Sequence, residues 1–286
     1  MKQLSIGFSK EEELENNLYG LFDEIGSFKK SNEYLRYLNY ISRFKKYSIF
    51  NTTLVFAQKP TVGFFATKKH WKKEFNRTIK EDSRPLIMLR PRGPIMFAYD
   101  IDDTEGETNI SDFLKRPIQS TGDVTDVMMS TLKISVAKCR IQLISVSNRQ
   151  TLGGTISRTG TIASPFSLDL KIELNKAHDL VTNYTTLIHE LAHLFLGHLG
   201  SSPSSLWPSR LGLSKDQKEF EAESVAYVIA KRMGLNSQSD KYLAGYVDRD
   251  VNIPRIDVRA IGKAIDWIEE MIKGRTPKIF SPDPKA

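Results

Sequence analysis

Three residues in one short segment have the types and spacing of a catalytic metal site. Residues 185–198 read TTLIHELAHLFLGH and contain His189, Glu190 and His193. Each residue of a helix advances about 100° around the axis, so two histidines four residues apart project from one face. Neutral imidazoles placed in this way can hold two of the four tetrahedral positions of Zn²⁺. The segment therefore predicts a zinc site in which Glu190 takes a proton from the metal-bound water.

The alternative is a buried amphipathic helix whose histidines only form hydrogen bonds with neighbouring groups. That alternative requires His189 and His193 both to find partners on an otherwise apolar helix, beside a carboxylate. The chain has only 5 histidines, and three of them fall within residues 189–198. We favour the zinc site, because the motif and the apolar helical pattern agree.

Two histidines do not complete a zinc site, so a further ligand is needed. His198 is the nearest candidate, but nine residues from His189 correspond to about 180° on an uninterrupted helix. His198 would then face away from the metal, unless Gly197 ends the helix and turns it back. We expect His198 to form a hydrogen bond at the helix end.

The helix expected to begin near Ser214 offers better candidates. Ser214 and Gln217 have the spacing of a capping box, which sets the start of the helix. With Glu219 placed at zero, Glu223 lies at about 40° and Glu221 at about 200°. Glu219 and Glu223 flank a face rich in alanine and valine, whereas Glu221 is expected to be solvated.

An acidic pair four residues apart, after the histidine motif, resembles the gluzincin metallopeptidases. This resemblance implies that Glu219 is the third zinc ligand and that Glu223 orients His189 or His193. Such a contact would fix the tautomer of the ligand histidine, and water would fill the fourth, open position. Tyr227 is a weaker candidate for contact with a developing oxyanion, the alternative being a tyrosine of the core.

The distribution of charge predicts a second function for the N-terminal part. The net charge is +7, but residues 28–92 contain 16 Lys or Arg and only 4 Asp or Glu. Cationic and aromatic side chains together suit a single nucleic-acid strand, which offers phosphates and base faces. The predicted nucleic-acid-binding residues are Tyr47, Lys68, Lys69, Trp71, Lys72, Lys73, Arg77 and Lys80. The alternative is a solvated basic surface with its aromatic residues in the core.

The order of predicted elements indicates an α+β protein with a domain boundary near residue 120. Residues 1–120 are expected to form a small nucleic-acid-binding domain, with helices in 9–58, a basic turn from Trp71 to Arg84 and strands near 61–66, 86–90 and 95–99. Residues 121–286 are expected to form a zincin-like domain, with a helix at 124–139 and a strand at 141–146. A strand at 170–174 is expected at the sheet edge, where an extended peptide could pair with it.

Two groups of motifs carry a further resemblance. TLIHELAHLFLGH at 186–198, followed by EFEAESVAY at 219–227, is similar to the ImmA/IrrE-type metallopeptidase domain. WKK at 71–73, NRTIK at 76–80, PLIMLRP at 85–91 and YDIDDTEG at 99–106 resemble the ArdC antirestriction proteins. The resemblance implies an N-terminal domain that binds single-stranded DNA, followed by a zincin domain.

The predicted function is therefore that of a zinc-dependent metallopeptidase with a DNA-binding domain, acting on or near DNA-bound proteins. The alternative is a non-proteolytic antirestriction protein that binds single-stranded DNA and in which zinc is structural. Apolar runs are too short to span a bilayer, so no membrane partner is expected. Cys139 is the sole cysteine, which together with the lack of a signal-peptide pattern favours a cytoplasmic location.

Overall fold

The structure, a computed structural model, describes residues 28–90, 95–106, 122–147, 153–159, 170–200, 207–248 and 252–280. In chain order its helices and strands are α1 (Ser31–Arg43), α2 (Ile49–Gln58), β1 (Phe65–Ala66), α3 (Lys68–Phe75), β2 (Thr78–Ile79), β3 (Leu86–Leu89), β4 (Ile95–Asp100), β5 (Thr104–Glu105), α4 (Asp126–Lys138), β6 (Ile141–Val146), β7 (Thr155–Arg158), β8 (Leu170–Asn175), α5 (Leu180–Phe195), α6 (Lys215–Met233), α7 (Gln238–Asp248) and α8 (Val258–Ile272). Short 3₁₀ helices lie at Ile101–Asp103, between β4 and β5, and at Lys278–Phe280, after α8.

The chain divides into two compact units, one within Phe50–Pro117 and the other within Lys29–Ile49 and Ile118–Ala286. Helices and strands occur in both units, which confirms the α+β class; the zincin-like arrangement stays a prediction. The first part of the helical region predicted at 9–58 lies outside the described residues, as does the predicted domain boundary near residue 120.

The first unit is built on the antiparallel sheet β1-β4-β3. Leu86 pairs with Ala98, and Met88 pairs with Met96. Because side chains alternate between the two faces of a strand, these four share one face, on which Leu86, Met88 and Ala98 are buried. A separate pair, β2 with β5, joins Thr78–Ile79 to Thr104–Glu105.

The outer edge of β3 is closed by two amide side chains of α2. Gln58 accepts a hydrogen bond from the backbone N–H of Ile87 at 2.8 Å and donates to its carbonyl at 2.9 Å. Asn51 repeats this arrangement at Leu89, at 2.8 and 2.9 Å. The amides thus take the place of a neighbouring strand. These bonds satisfy backbone N–H and C=O groups of an edge strand that could otherwise pair with another chain.

Helix α3 replaces the basic turn that was predicted to begin at Trp71. Thr67 caps the helix by accepting from the N–H of His70, and the helix ends at Asn76 in the left-handed conformation. Trp71 and Phe75, four residues apart, share one helical face and are both buried. The prediction of a turn was wrong, because this apolar pair anchors the segment as a helix against the sheet.

The second unit contains the sheet β6-β8-β7, in which β8 is the central strand. Strand β6 pairs with β8 in parallel over six residue pairs, from Ile141 with Leu170 to Val146 with Asn175. Strand β7 pairs antiparallel with the other side of β8. The prediction that 170–174 forms the edge was therefore wrong. In the described part of the chain, β7 stands at one end of the strand order and β6 at the other.

Helix α1 belongs to the second unit, although the sequence placed it in a domain of residues 1–120. Its buried face carries Tyr34, Tyr37, Leu38 and Ile41, and it packs against α6. The burial of this aromatic stripe gives Lys29–Ile49 its place among the C-terminal helices. No helix in the described part of the chain is long and apolar enough to cross a membrane.

We expect Gln58→Ala to destabilise the first unit by about 1–3 kcal/mol, since the edge N–H and C=O of Ile87 lose their partners. Chemical unfolding followed by fluorescence measures this change. Gln142→Ala, at an exposed strand position, is the matched control and should have little effect. Equal stability of the two variants would show that the amide does not support the edge.

Candidate metal centre

Helix α5 presents both motif histidines because its start and its buried face fix its rotation. Asp179 caps the helix by accepting a hydrogen bond from the N–H of Thr182 at 2.7 Å. Leu187, Ile188 and Leu191 are fully buried, so the helix cannot turn without exposing them. His189 and His193 therefore point together toward α6, against which α5 packs.

Helix α6 begins where the capping box predicted. The Ser214 hydroxyl accepts from the N–H of Gln217, and the side chain of Gln217 accepts from the N–H of Ser214. Ala222 and Ala226 are buried on this helix, and such small side chains permit close approach of a neighbouring helix. Glu219 and Glu223 consequently reach the histidines of α5.

Three donor atoms converge at the centre. His189 Nε2 lies 3.1 Å from His193 Nε2, and Glu219 Oε2 lies 3.5 and 3.7 Å from these two nitrogens. Ligands bound tetrahedrally about 2.0–2.1 Å from Zn²⁺ lie about 3.3 Å from one another. The three atoms therefore form a triangle of the size of one tetrahedral face, and His189, His193 and Glu219 together could hold a metal ion.

The other ring nitrogen of each histidine faces a different partner. His189 Nδ1 lies 3.6 Å from Glu223 Oε1, and His193 Nδ1 lies 2.9 Å from His198 Nδ1. When both rings carry their proton on Nδ1, two nitrogen lone pairs and one carboxylate oxygen face each other. Three acceptors in contact require a cation or a proton between them, which is the chemistry of a ligand set.

The charges of the centre are strongly coupled. Burial acts to lower the pKa of His189, but contacts with Glu219 and Glu223 outweigh it and raise the pKa to about 10. The contacts of Glu219 with His189 and His193 hold the pKa of its carboxyl well below the usual range. The two carboxylates thus favour a positive charge on His189, and a bound cation would supply that charge instead.

Glu190 lies beside the centre, at the wall of an open cavity of about 470 Å³. The residue is 7% exposed, and burial raises the pKa of its carboxyl. Gly154, Thr155 and Ile156, at the start of β7, line the same cavity. A side chain at Gly154 would contact the carbonyl oxygen of Glu173 at 2.8 Å, so glycine lets this strand approach β8 closely.

His198 is turned back toward His193 by the end of α5. Gly197 adopts φ +74°, and its N–H donates to the carbonyl of Leu194 while the N–H of His198 donates to that of His193. These two bonds form a Schellman motif, the usual glycine-terminated helix end. His198 is not among the three converging ligands. Burial lowers the pKa of its imidazole, which favours the neutral ring.

Glu221 is fully buried, and the expectation that it is solvated was wrong. Its carboxylate accepts two hydrogen bonds from Arg210, both at 2.6 Å, and lies 3.1 Å from His198 Nε2. Burial alone would raise the pKa of Glu221, but His198 and Arg210 lower it overall. The helix is buried on most sides, as its run from Val225 to Ala230 shows. At this position the helix faces the core, so Glu221 is not solvated.

Tyr227 does not face the centre. Its hydroxyl donates to Asn39 Oδ1 at 2.7 Å, and the residue is 4% exposed. The candidate role in stabilising an oxyanion is therefore wrong, and the alternative of a core tyrosine is confirmed. The helical phase placed it within about 80° of Glu219, but α1 supplies a partner on that side.

The predicted nucleic-acid-binding residues divide between the two units, and not all of them are exposed. Trp71 is fully buried and its Nε1 donates to the carbonyl of Tyr99 at 2.9 Å, so it cannot stack on a base. Arg77 donates three hydrogen bonds to Thr104 and Gly106, which hold the strand pair β2–β5. Tyr47 is half-buried and belongs to the second unit.

The exposed cations of the first unit are concentrated on α3. Its exposed lysines are Lys68, Lys69, Lys72 and Lys73, whereas the ammonium group of Lys80 donates to the carbonyl of Asp102. Six of the 16 cations counted in the sequence, from Lys29 to Lys46, lie in the second unit. The charge excess of the first unit is therefore smaller than the sequence suggested.

Phe97 on β4 is an aromatic residue that the sequence analysis did not single out. It is 46% exposed and lies opposite half-buried Ile87 across the strand pair. Two residues along the same face, about 7 Å away, Tyr99 packs against the cluster that contains Trp71. An open apolar patch thus lies next to the lysine-bearing helix. Side chains alternate along β4, so Phe97 lies on the other sheet face from buried Ala98. This alternation is the sequence signal that could have identified Phe97 as exposed.

No protein-family model matches the chain, and no curated protein matches its sequence. Among solved structures, crystal structures of the antirestriction protein ArdC from plasmid R388 are similar. The metal-free form has 14% identity and a TM-score of 0.36, covering 80% of this chain and 86% of that one. The Mn(II)-bound form has 14% identity and a TM-score of 0.35, covering 83% and 95%. TM-scores at this level do not establish a common fold.

We expect a divalent cation to displace the proton held at His189. Because contacts with carboxylates raise the pKa of this ring to about 10, the site binds a proton throughout the range below that pH. Apparent metal affinity should then rise about tenfold per pH unit until the pKa is passed. Calorimetric titration in buffers of different ionisation enthalpy counts the released protons.

At neutral pH this titration should give about one released proton per cation bound. His189→Ala, which removes both the ligand and its proton, is the control and should abolish the tight binding. Tight binding to the unaltered protein with no proton release would contradict the assigned protonation of His189.

Proposed function

We propose that the protein is a zinc-dependent metallopeptidase. The observation that carries this proposal is the convergence of His189, His193 and Glu219 at tetrahedral spacing, with Glu190 beside them in an open cavity. Two imidazoles and one carboxylate are the ligand set of a class of catalytic zinc sites, which keep a fourth position open. The half-exposed position of Glu219 leaves this centre accessible from solvent.

Zinc bound at these residues would supply Lewis-acid chemistry, lowering the pKa of a coordinated water and polarising a carbonyl oxygen. Glu190 acts as the general base: its carboxylate takes the proton of the attacking water and passes it to the departing amine nitrogen. Burial raises the pKa of Glu190, which strengthens it as a base and lets it hold the proton between these two steps. Glu223 keeps His189 oriented through its Nδ1.

The outer edge of β7 is the proposed binding surface for an extended peptide. Thr155 and Ile156 line the cavity together with Glu190, and β7 is bonded to β8 on its other side. A peptide that pairs with the edge strand of a sheet gains backbone hydrogen bonds along its length. Such pairing would hold a peptide bond near Glu190, largely independently of side-chain identity.

Glu190→Gln should retain zinc and lose peptide cleavage, because an amide keeps the size of the side chain but cannot accept the proton. We expect a fall in kcat of at least about 10²-fold, the usual contribution of a general base. Cleavage of a fluorogenic peptide library and zinc content by atomic absorption measure the two properties.

Glu173→Gln is the matched control, since Glu173 also lies in the second unit and pairs with Lys171 on the sheet. It should leave cleavage near the level of the unaltered protein. Cleavage by Glu190→Gln at that same level would remove Glu190 from the mechanism.

The first unit supports a second function, the binding of single-stranded DNA. The specific observation is that Phe97 is exposed on β4, two residues from Tyr99, which packs against the buried face of α3, while α3 also carries four exposed lysines. Lysines neutralise phosphates, and an exposed ring offers a stacking surface for a base. Phe97 takes the stacking role that the sequence assigned to Trp71.

Replacing the four exposed lysines of α3 by alanine should weaken binding of a single-stranded oligonucleotide and flatten its salt dependence. With about 0.7 counterions released per phosphate contact, the slope of log affinity against log salt should fall by up to about 3. Phe97→Ala should weaken binding by about 1–3 kcal/mol without changing this slope. Fluorescence anisotropy across a salt series measures both effects.

Lys133→Ala with Lys138→Ala, on an exposed part of α4 in the second unit, is the matched control and should leave the slope unchanged. An equal fall in slope per lysine removed in the two variants would show that the binding is diffuse and not centred on α3.

Joined in one chain, the two functions suggest a peptidase that acts on proteins bound to DNA. A tethered module raises the effective concentration of targets on the same strand. The alternative is an antirestriction protein that only binds DNA, with zinc as a structural ion. A folded Glu190→Gln protein that still protects DNA from restriction would favour that alternative, whereas lost protection would favour proteolysis.

A further inference from the structure

A line of buried polar side chains continues from His193 on the side away from the converging ligand atoms. His193 Nδ1 lies 2.9 Å from His198 Nδ1, and His198 Nε2 lies 3.1 Å from Glu221 Oε2. Arg210 donates to both oxygens of Glu221 at 2.6 Å. The side chain of His198 is 2% exposed and that of Glu221 is 0% exposed, so solvent does not supply these bonds.

The hydrogen-bond partners of Glu221 set the direction of the bonds at the inner end of this line. Glu221 is surrounded by donors, because Oε1 also accepts from the N–H of Asp257 at 2.8 Å. An arginine only donates, so the carboxylate is ionised and His198 must donate to it through Nε2. His198 therefore uses its Nε2–H for Glu221 and turns Nδ1 toward His193 Nδ1, where it can accept the proton of that nitrogen.

We propose that His198, Glu221 and Arg210 are positioning residues that hold His193 in the Nδ1–H tautomer and so direct its Nε2 lone pair toward the metal. This inference rests on the proposed metal site and adds a role for residues outside the ligand set. The opposite tautomer would place an N–H where the cation must bind. Which ring nitrogen binds a metal is set by the hydrogen bond that the other makes.

Local structure explains why this arrangement is rigid. The Schellman motif at Gly197 places His198 beside His193, one turn after the ligand. The backbone N–H of Arg210 donates to the carbonyl of Gly197 at 2.9 Å, and its side chain donates to that of Leu196 at 3.3 Å. Arg210 therefore binds the end of α5 and the side of α6 at once.

His198→Phe and His198→Gln separate positioning from packing. Phenylalanine fills the space but offers His193 no acceptor, whereas glutamine keeps one acceptor and one donor. We expect His198→Phe to weaken zinc binding about 10–100-fold, as loss of an outer hydrogen-bond partner does. Glutamine should restore most of this loss. Competition with a chromophoric chelator measures the dissociation constants.

Glu269→Gln is the matched control for Glu221→Gln. Glu269 also holds a buried arginine of α6, since it lies 2.9 Å from Arg232, but it has no contact with the ligand histidines among those that the structure describes. Both variants should lower the thermal midpoint, and only Glu221→Gln should weaken zinc binding. Equal zinc affinities in the two variants would reduce the role of Glu221 to structural support.

Nitrogen-15 NMR of the histidine rings in the metal-free, unaltered protein tests the tautomers without metal or activity. We expect the proton of His193 on Nδ1 and that of His198 on Nε2. A proton on His193 Nε2 with a free lone pair on Nδ1 overturns the proposal. If the unaltered protein binds no zinc, the metallopeptidase proposal fails. The ring tautomers still test the proposed role of His198, Glu221 and Arg210 in orienting His193.

Discussion

The close packing of α5 against α6 is the contact on which the candidate metal centre depends. The two histidines come from one helix and Glu219 from the other, so a change in helix separation or rotation would pull the donor atoms apart. Buried alanines on α6 permit the approach, and the caps at Asp179 and Ser214 fix where each helix starts. The triangle of donor atoms, with sides of 3.1, 3.5 and 3.7 Å, is a consequence of that packing.

Buried charge on α6 adds a second constraint. Glu221 and Arg232, eleven residues apart, lie on nearly the same side of the helix, since three turns take about 10.8 residues. Each meets a full set of partners: Glu221 meets Arg210, His198 and a backbone N–H, and Arg232 meets Glu269 and backbone carbonyls. Buried ions are tolerated only when paired in this way. A shift of α6 would therefore leave a buried charge without its partner, and this holds the helix in place.

In the first unit, helices cover part of a small sheet that could otherwise pair with other chains. Amides of α2 occupy one edge of β3, and α3 covers part of one sheet face through Trp71 and Phe75. Phe97 and a row of lysines on α3 stay exposed. The apolar face of this helix thus packs in the core, and its lysines face solvent. This arrangement is compatible with binding of a polyanion.

Spacing along the chain was sufficient to predict which side chains share a helical face. The pairing of His189 with His193 and the capping box at Ser214 follow from helical geometry and local hydrogen bonding. The roles of Glu219 and Glu223 beside the histidines were implied by the gluzincin resemblance, and the packing of the two helices brings them there. The strands at 86–90, 95–99 and 141–146 were predictable for the same reason, because alternation and apolar runs are local patterns.

Only the tertiary structure decided which of those faces are covered, and by what. Glu221 is buried because Arg210 and Asp257, distant in sequence, close around it. Trp71 is a core residue because the sheet packs against it, and β8 is central because β6 pairs with it from an earlier part of the chain. Helix α1 joins the C-terminal unit through contacts with α6, nearly two hundred residues later. Burial depends on such long-range partners, and a local pattern of residues carries no information about them.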